Sequence, residues 1–159
     1  MDVIAVAVIL LVVGLFVFRT ENVSVDTTKI PDAISTKLLF TPYIPSKLPE
    51  GFAVDKDSFR VQETALIFTA SNQSGGRLVV SEQSVPKDLS MDAFYSSTIT
   101  GPQRLEGLKY RTIFGELQAK NGTLVSIVTT DNTWILVAMP KDATRETATI
   151  ISQGLVQQQ

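Results

Sequence analysis

The 159-residue sequence contains no cysteine and no histidine. Without cysteine there can be no disulfides, no thiol nucleophile and no thiolate metal site. Without histidine the chain lacks the commonest general base and the commonest transition-metal ligand, which excludes Ser-His-Asp and Cys-His catalysis and zinc sites built from Cys and His. These absences predict a protein that is not an enzyme and that holds no cofactor and no metal.

The chain has little net charge. Its formal value is −2, and acidic and basic residues are interspersed. Nucleic-acid binding requires a concentrated basic surface, so we expect no nucleic-acid partner. The sequence also lacks the basic cluster that recognises anionic lipid headgroups.

One long apolar run stands at the start of the chain. Val3–Phe18 holds sixteen residues without a charge, a proline or a polar amide. A membrane-spanning helix needs about 20 apolar residues, with a range of about 17–25. Arg19 can extend its charged end into the headgroups while its stem stays in apolar surroundings, so a thin span is feasible. We therefore predict an uncleaved transmembrane anchor over residues 1–19 that contacts the membrane through residues 3–18.

Two other interpretations of this run stay open. A cleaved signal peptide would have a basic start and a small-x-small cleavage site, but the run begins at Met1-Asp2 and ends without a small pair. A buried helix of a soluble domain would show a polar face, and this run shows none.

The orientation of the predicted anchor is ambiguous. Basic residues mark the cytoplasmic flank of a membrane helix, and Arg19 and Lys29 both follow the run while none precedes it. Taken alone, this pattern places the body of the protein in the cytoplasm. We nevertheless predict an extracytoplasmic body, on the evidence of residues Tyr43–Phe52.

The rest of the chain divides into a linker over residues 20–42 and one α+β domain over residues 43–159. Within the linker, Leu38–Phe40 could dock on the domain as an extended arm. Prolines 42, 45 and 49 exclude a helix or a central strand over Tyr43–Pro49.

Residues of β-branched and aromatic type, with a period of two, predict an antiparallel sheet of roughly five to seven strands. A region broken by Gly107 and Gly115 is also predicted to be β structure. The predicted strands are a first hairpin of Ala65–Ala70 with Arg77–Ser84, a second hairpin of Leu124–Thr130 with Thr133–Met139, and the region Leu105–Ala119.

Two helices are predicted, of which the final one covers one face of this sheet and the short one could share that face. The first spans Ser90–Thr98, capped by Asp88 or Ser90 and ended by Gly101-Pro102. The second begins after Asp142, runs to about Val156 and leaves a frayed polar end of three glutamines. The predicted fold class is therefore α+β: an N-terminal transmembrane helix followed by a single antiparallel β-sheet domain packed by a C-terminal helix.

Two short motifs suggest acyl-enzyme chemistry but lack its context. Ser84 and Lys87 match S-x-x-K, but Pro86 between them prevents the helical turn that brings the two side chains together. Thr130-Asp131-Asn132 is similar to S-D-N, but no K-T-G follows it. A strand terminus and a hairpin turn explain both motifs.

Acidic residues give the remaining candidates. Asp55-Lys56-Asp57 could begin a calcium loop, but Phe59 and Arg60 stand where further ligands and a glycine belong, so a solvated turn is expected. Glu63, Glu82 and Glu116 could supply a pair of catalytic carboxylates, although acids in strands usually point to solvent.

Trp134 opens a strand and could stack on a sugar or an aromatic ligand. A position in or beside the core is the expected alternative, because the strand that follows it is apolar.

The phrase Tyr43–Phe52, YIPSKLPEGF, resembles the "Y-x-P-x-x-L-P-x-G-F" opening of the DUF4367-like domains, which are similar to the half-barrel sheets of RseB and LolA. These domains follow a membrane segment in bacterial exported proteins. The hairpin after the phrase and the final strand and helix agree with the resemblance, which covers about Tyr43–Val156. It implies an extracytoplasmic, sensor-like or ligand-binding domain, and supplies no catalytic residues.

The expected function is therefore that of a membrane-anchored, non-enzymatic binding domain in the cell envelope, attached by a single pass. Its partner would be an envelope protein, a lipid or a cell-wall component, and no binding residues are assigned. One alternative is a structural or assembly component of an envelope complex. A more distant one is a hydrolase that uses carboxylates alone.

Overall fold

The computed structural model describes residues 29–120 and 122–158 of the chain. All strand pairs among them are antiparallel, which confirms the α+β class. A turn of 3-10 helix spans Lys56–Ser58. The helices are α1 (Asp32–Ser35), α2 (Met91–Thr98) and α3 (Arg145–Gln153). The strands are β1 (Tyr43–Pro45), β2 (Ala53–Val54), β3 (Arg60–Gln62), β4 (Ala65–Ser71), β5 (Arg77–Ser84), β6 (Ile99–Leu105), β7 (Arg111–Leu117), β8 (Leu124–Thr129), β9 (Thr133–Met139) and β10 (Leu155–Gln157).

The described strands form one large sheet and one small ribbon. The large sheet has eight strands in the order β2-β4-β5-β9-β8-β7-β6, with β3 also pairing with β4. β1 and β10 form the two-stranded ribbon. The predicted number of roughly five to seven strands was too low, because Gly101-Pro102 was interpreted as the end of a helix and the strand that contains it, β6, was missed. Both predicted hairpins are confirmed as β4–β5 and β8–β9.

The large sheet is buried on both faces. Every residue of β9 is buried, and its alternate side chains belong to two separate apolar clusters. The cluster on the first face, here called the arm face, includes Leu66, Phe68, Val80, Ile135 and Val137. The cluster on the second face, here called the α2 face, includes Ile67, Val79, Ile127, Trp134 and Leu136.

The two longer helices pack on opposite faces. Ala148 and Ile151 of α3 join the arm-face cluster, whereas Phe94 and Tyr95 of α2 join the α2-face cluster. The final helix therefore covers one face as predicted, and the short helix does not share that face, as the sequence had left possible. Both sides of β9 are apolar, so each side needs its own cover. The predicted cap of α2 is confirmed, since the Ser90 hydroxyl accepts a hydrogen bond from Ala93 N–H.

The final helix is shorter than predicted. Thr144, not Asp142, caps α3: its hydroxyl accepts from Thr147 N–H, and the Thr147 side chain accepts from Thr144 N–H. This capping box fixes the start of the helix two residues later. After Gly154 the chain forms β10, which pairs with β1, so the prediction of a frayed end was wrong for Gln157.

Two glycine-containing sites behave differently from their predicted roles. Gly101 and Pro102 lie inside β6 rather than ending α2, at a point where the register with β7 shifts. An edge strand tolerates a proline and a bulge at such a point. Gly115 lies inside β7 and does not break it. A Cβ at this position would stand 2.9 Å from the Thr100 carbonyl oxygen, so β6 can approach β7 this closely only because residue 115 is glycine.

The predicted anchor, Val3–Phe18, lies outside the described residues. Within residues 29–120 and 122–158, none of the helices has the length and apolarity needed to cross a membrane. Ile30 is buried in the arm-face cluster, although it lies within the stretch 20–42 that the sequence indicates as a linker.

Candidate functional site

A buried carboxyl group, that of Glu82, lies at the centre of the candidate site. The period of two along β5 directs Leu78, Val80 and Glu82 to the arm face, and Glu82 has no exposed surface. The expectation that acids in strands point to solvent is therefore wrong for Glu82. Its neighbours across the two adjacent strands are Leu66 on β4 and Ile135 on β9, both apolar.

The segment Thr41–Pro45, here called the arm, lies against this end of the sheet. Tyr43 N–H donates a 2.8 Å hydrogen bond to Glu82 Oε2. Two residues earlier, the Thr41 carbonyl accepts a 2.9 Å bond from Thr133 Oγ1 on β9. Side chains of two neighbouring strands thus bind the main chain of the arm at alternate residues.

The geometry of the ribbon explains why Tyr43 N–H is available to Glu82. The bonds from Gln158 N–H to the Pro42 carbonyl and from Ser46 N–H to the Gly154 carbonyl flank the ribbon at 2.9 and 2.7 Å. In an antiparallel pair alternate residues turn their main-chain groups to the partner strand, so Tyr43 N–H points away from β10. A buried N–H without a partner is costly, and the Glu82 carboxyl satisfies it.

Burial sets the protonation of Glu82. It raises the pKa of Glu82 from 4.5 to about 8, against the smaller lowering effect of the Tyr43 N–H bond. Its other oxygen, Oε1, has no hydrogen-bond partner among the described residues. A carboxyl group in such surroundings is neutral at pH 7, because an unpaired buried carboxylate would lose its hydration without compensation.

Aromatic and basic side chains border the arm. The rings of Tyr43 and Tyr110 meet edge to face with centroids 5.7 Å apart, and Lys109 Nζ lies 4.8 Å from the Tyr110 ring centroid. Burial raises the pKa of Tyr43, so its phenol is neutral at physiological pH. Hydrogen bonding to Tyr110 raises the pKa of Lys109, which keeps its positive charge.

An open cleft of about 760 Å³, here called the arm cleft, lies beside the arm. It brings together the two acyl-enzyme motifs suggested by the sequence. Ser84 ends β5, and Lys87 lies in the turn beyond Pro86, so the pair has no helical geometry. Ser84 and Lys87, both among the described residues, form no hydrogen bond with each other. The S-x-x-K motif is therefore a strand end followed by a turn. The cleft is lined by residues 38–41, 84–87, 89, 131 and 132.

No family model, curated protein or solved structure matches this chain. The resemblance to the half-barrel sheet domains accordingly stays a prediction. The phrase that carries it, Tyr43–Phe52, forms β1 and the turn that follows, in which Phe52 N–H donates to the Pro49 carbonyl and Gly51 has φ of 80°. Only glycine adopts that φ readily.

Glu82 and Glu116, two of the three carboxylates suggested by the sequence, are too far apart to form a catalytic pair. Glu63 is exposed in the β3–β4 turn. Glu116 lies on β7, and its side chain accepts a hydrogen bond from Gly122 N–H in the turn after that strand. Glu82 and Glu116 are three strands and four residues apart in register. With about 4.8 Å between strands and about 3.3 Å per residue, their separation is roughly 20 Å, twice the reach of a glycosidase pair of about 5–10 Å.

The remaining sequence candidates have structural roles. Asp55 caps the 3-10 turn by accepting from Asp57 N–H, as expected of a turn between strands. Trp134 is buried on the α2 face with its ring centroid 4.5 Å from that of Phe94, which confirms its core position. The part of the chain that the structure describes contains no group of three or more metal-ligating acids.

The long free edge of the sheet is poorly suited to binding a peptide by strand addition. β6 is exposed from Thr100 to Arg104, but the bulge and Pro102 interrupt its hydrogen-bonding groups. Such features protect edge strands from pairing with another chain. No sequence pattern links the arm to Glu82, although the register of Leu78, Val80 and Glu82 already places one acid in an apolar row.

Proposed function

We propose that this protein is a membrane-anchored, non-enzymatic binding domain on the extracytoplasmic side of a cell membrane. The observation that carries the proposal is the charge-free run Val3–Phe18, which has the composition of a single-pass anchor. The lack of histidine and cysteine supports a binding role, because it removes most nucleophilic and general-base chemistry. The resemblance of Tyr43–Phe52 to exported bacterial domains supports the extracytoplasmic orientation.

The shape and charge of the arm cleft favour some of the expected partners over others. Leu39 at its wall is 93% exposed, and Lys87 and Asp131 line the same cleft. Sites for lipid chains are enclosed and mostly apolar, whereas this cleft is open and carries both signs of charge. The proposed partner is therefore an envelope protein or a cell-wall component.

Membrane fractionation of the full chain in a bacterial host tests the anchor. We expect the protein in the membrane fraction, resistant to an alkaline wash and released by detergent. Replacing Leu10 and Leu11 together by arginine should move it to the soluble fraction, because each central arginine costs about 2.5–3.5 kcal/mol of insertion free energy.

The matched control replaces Leu10 and Leu11 by isoleucine, which preserves apolarity and should leave the protein in the membrane fraction. A native chain found in the soluble fraction, or an arginine variant that remains wash-resistant, would contradict the proposed anchor.

A further inference from the structure

We propose that Glu82 is a proton-operated latch, which holds the arm on the sheet when its carboxyl group is neutral and favours release of the arm when it is ionised. This latch is a property of the described domain and does not depend on where the domain is located.

The arm lies against Glu82 and shields its carboxyl group from water. Leu66 and Ile135 flank the carboxyl group within the sheet, and Tyr43 N lies 2.8 Å from Glu82 Oε2. Tyr43 and its neighbour Ile44 are themselves buried. Detaching the arm would therefore bring water to the carboxyl group, which is what an ionised carboxylate requires.

Among residues 29–120 and 122–158, no cation stabilises the ionised form of the Glu82 carboxyl group. The adjacent strands present Leu66, Ile135 and Thr133 to this end of the arm face, and none of them titrates. The arm presents Tyr43, and beyond it lie Tyr110 and Lys109, whose charge acts on the two tyrosines. Burial and the Tyr43 N–H bond are the interactions that shift the pKa of Glu82.

The pKa of Glu82 in the released and docked states determines how docking of the arm depends on pH. A carboxyl group with an ordinary pKa of 4.5 in the released state and of about 8 in the docked state binds a proton more tightly when the arm is docked. Docking is therefore strongest below pH 4.5, weakens as pH rises and levels off above pH 8. Within that window the docking equilibrium falls by up to about tenfold per pH unit.

Amide hydrogen exchange, measured by NMR on the full chain in detergent micelles, tests the latch. Protection factors are corrected for intrinsic exchange and followed from pH 5 to pH 8. We expect protection at Tyr43, whose N–H is bonded to Glu82, to fall by up to about tenfold per pH unit, while amides in the centre of β9 remain far better protected. Glu82→Gln should make the arm profile flat, and Glu50→Gln, at an exposed glutamate in the turn after the arm, should keep the native profile.

Three results would overturn the latch: a flat native profile, an unchanged slope in Glu82→Gln, or equal loss of protection in the arm and in β9, which would indicate global unfolding. If Glu82→Gln does not fold, the carboxyl ¹³C shift of Glu82 in the native chain decides the question. A midpoint well above 4.5 with the arm docked supports the latch, and a midpoint near 4.5 refutes it. Each of these readouts is independent of the membrane test.

Discussion

Replacing Glu82 by glutamine is expected to remove most of the pH dependence of this domain's unfolding free energy between pH 5 and pH 8. Glutamine has nearly the same shape and can accept the Tyr43 N–H bond through its amide oxygen, but it cannot ionise. In the native protein, Glu82 keeps its proton up to about pH 8, whereas the unfolded chain loses it near 4.5. Unfolding therefore releases a proton throughout this window.

The sign follows from this difference. The folded state binds more protons than the unfolded state, so the free energy of unfolding falls as pH rises through the window. The slope due to Glu82 is at most about 1.4 kcal/mol per pH unit, and the total between pH 4.5 and 8 is roughly 5 kcal/mol. Few single groups in a domain of this size would contribute as much.

Urea unfolding of the full chain in a nonionic detergent, repeated at half-unit steps of pH, measures the effect. The native curve should decline relative to the Glu82→Gln curve by about 1.4 kcal/mol per unit. Glu50→Gln, at an exposed position, should run parallel to the native curve. Parallel native and Glu82→Gln curves would show that Glu82 has an ordinary affinity for its proton in the folded state.

Truncating Ile44 to alanine is expected to destabilise the domain by about 2–5 kcal/mol, the range for large-to-small changes in a core. Ile44 is 1% exposed, and it packs in the arm-face cluster together with Leu155 of β10. The arm therefore contributes to the core rather than acting as a spacer. Leu39→Ala is the matched control, because Leu39 is 93% exposed, and it should change stability by no more than about 0.5 kcal/mol.

The same urea titration, at a single pH of 6, compares the two variants. A loss at Ile44 that is no larger than the loss at Leu39 would mean that the arm is dispensable for folding. In that case the hydrogen bonds from Tyr43 and Thr133 would not hold the arm in solution.

Local patterns in the sequence predict the hairpins well, because adjacent strands with a short turn need only a period of two and a turn residue. Ala65–Ala70 with Arg77–Ser84, and Thr133–Met139 with its partner, were predicted almost to the residue. The α2 helix was also predictable from the sequence, because its cap residue, Ser90, is a local feature.

Contacts between distant parts of the chain were not predictable in this way. β10 forms only because Leu155–Gln157 meets Tyr43–Pro45, and nothing within either tripeptide indicates the other. Gly115 is required because β6 approaches β7 closely at this point. In the sequence alone, the same glycine indicates only a break in a strand.

In the candidate site, too, the local pattern was predictable and the contact between distant residues was not. The row Leu78, Val80, Glu82 was visible in the sequence, and it places an acid on an apolar face. Its partner is a main-chain N–H of Tyr43, 39 residues away, and a backbone donor leaves no signature in a sequence. The sequence therefore names Glu82 only as one of three possible catalytic carboxylates, and it predicts neither the burial of Glu82 nor its bond to the arm.

Protease treatment of intact bacterial cells that carry a tag after Gln159 tests the proposed function most directly. The proposal predicts a membrane-bound protein whose tag is digested from outside in cells, or spheroplasts, with an intact inner membrane. A tag that is protected until the cells are lysed would contradict the extracytoplasmic orientation. The basic residues Arg19 and Lys29 would then mark the cytoplasmic flank of the anchor, and the domain would face the cytoplasm.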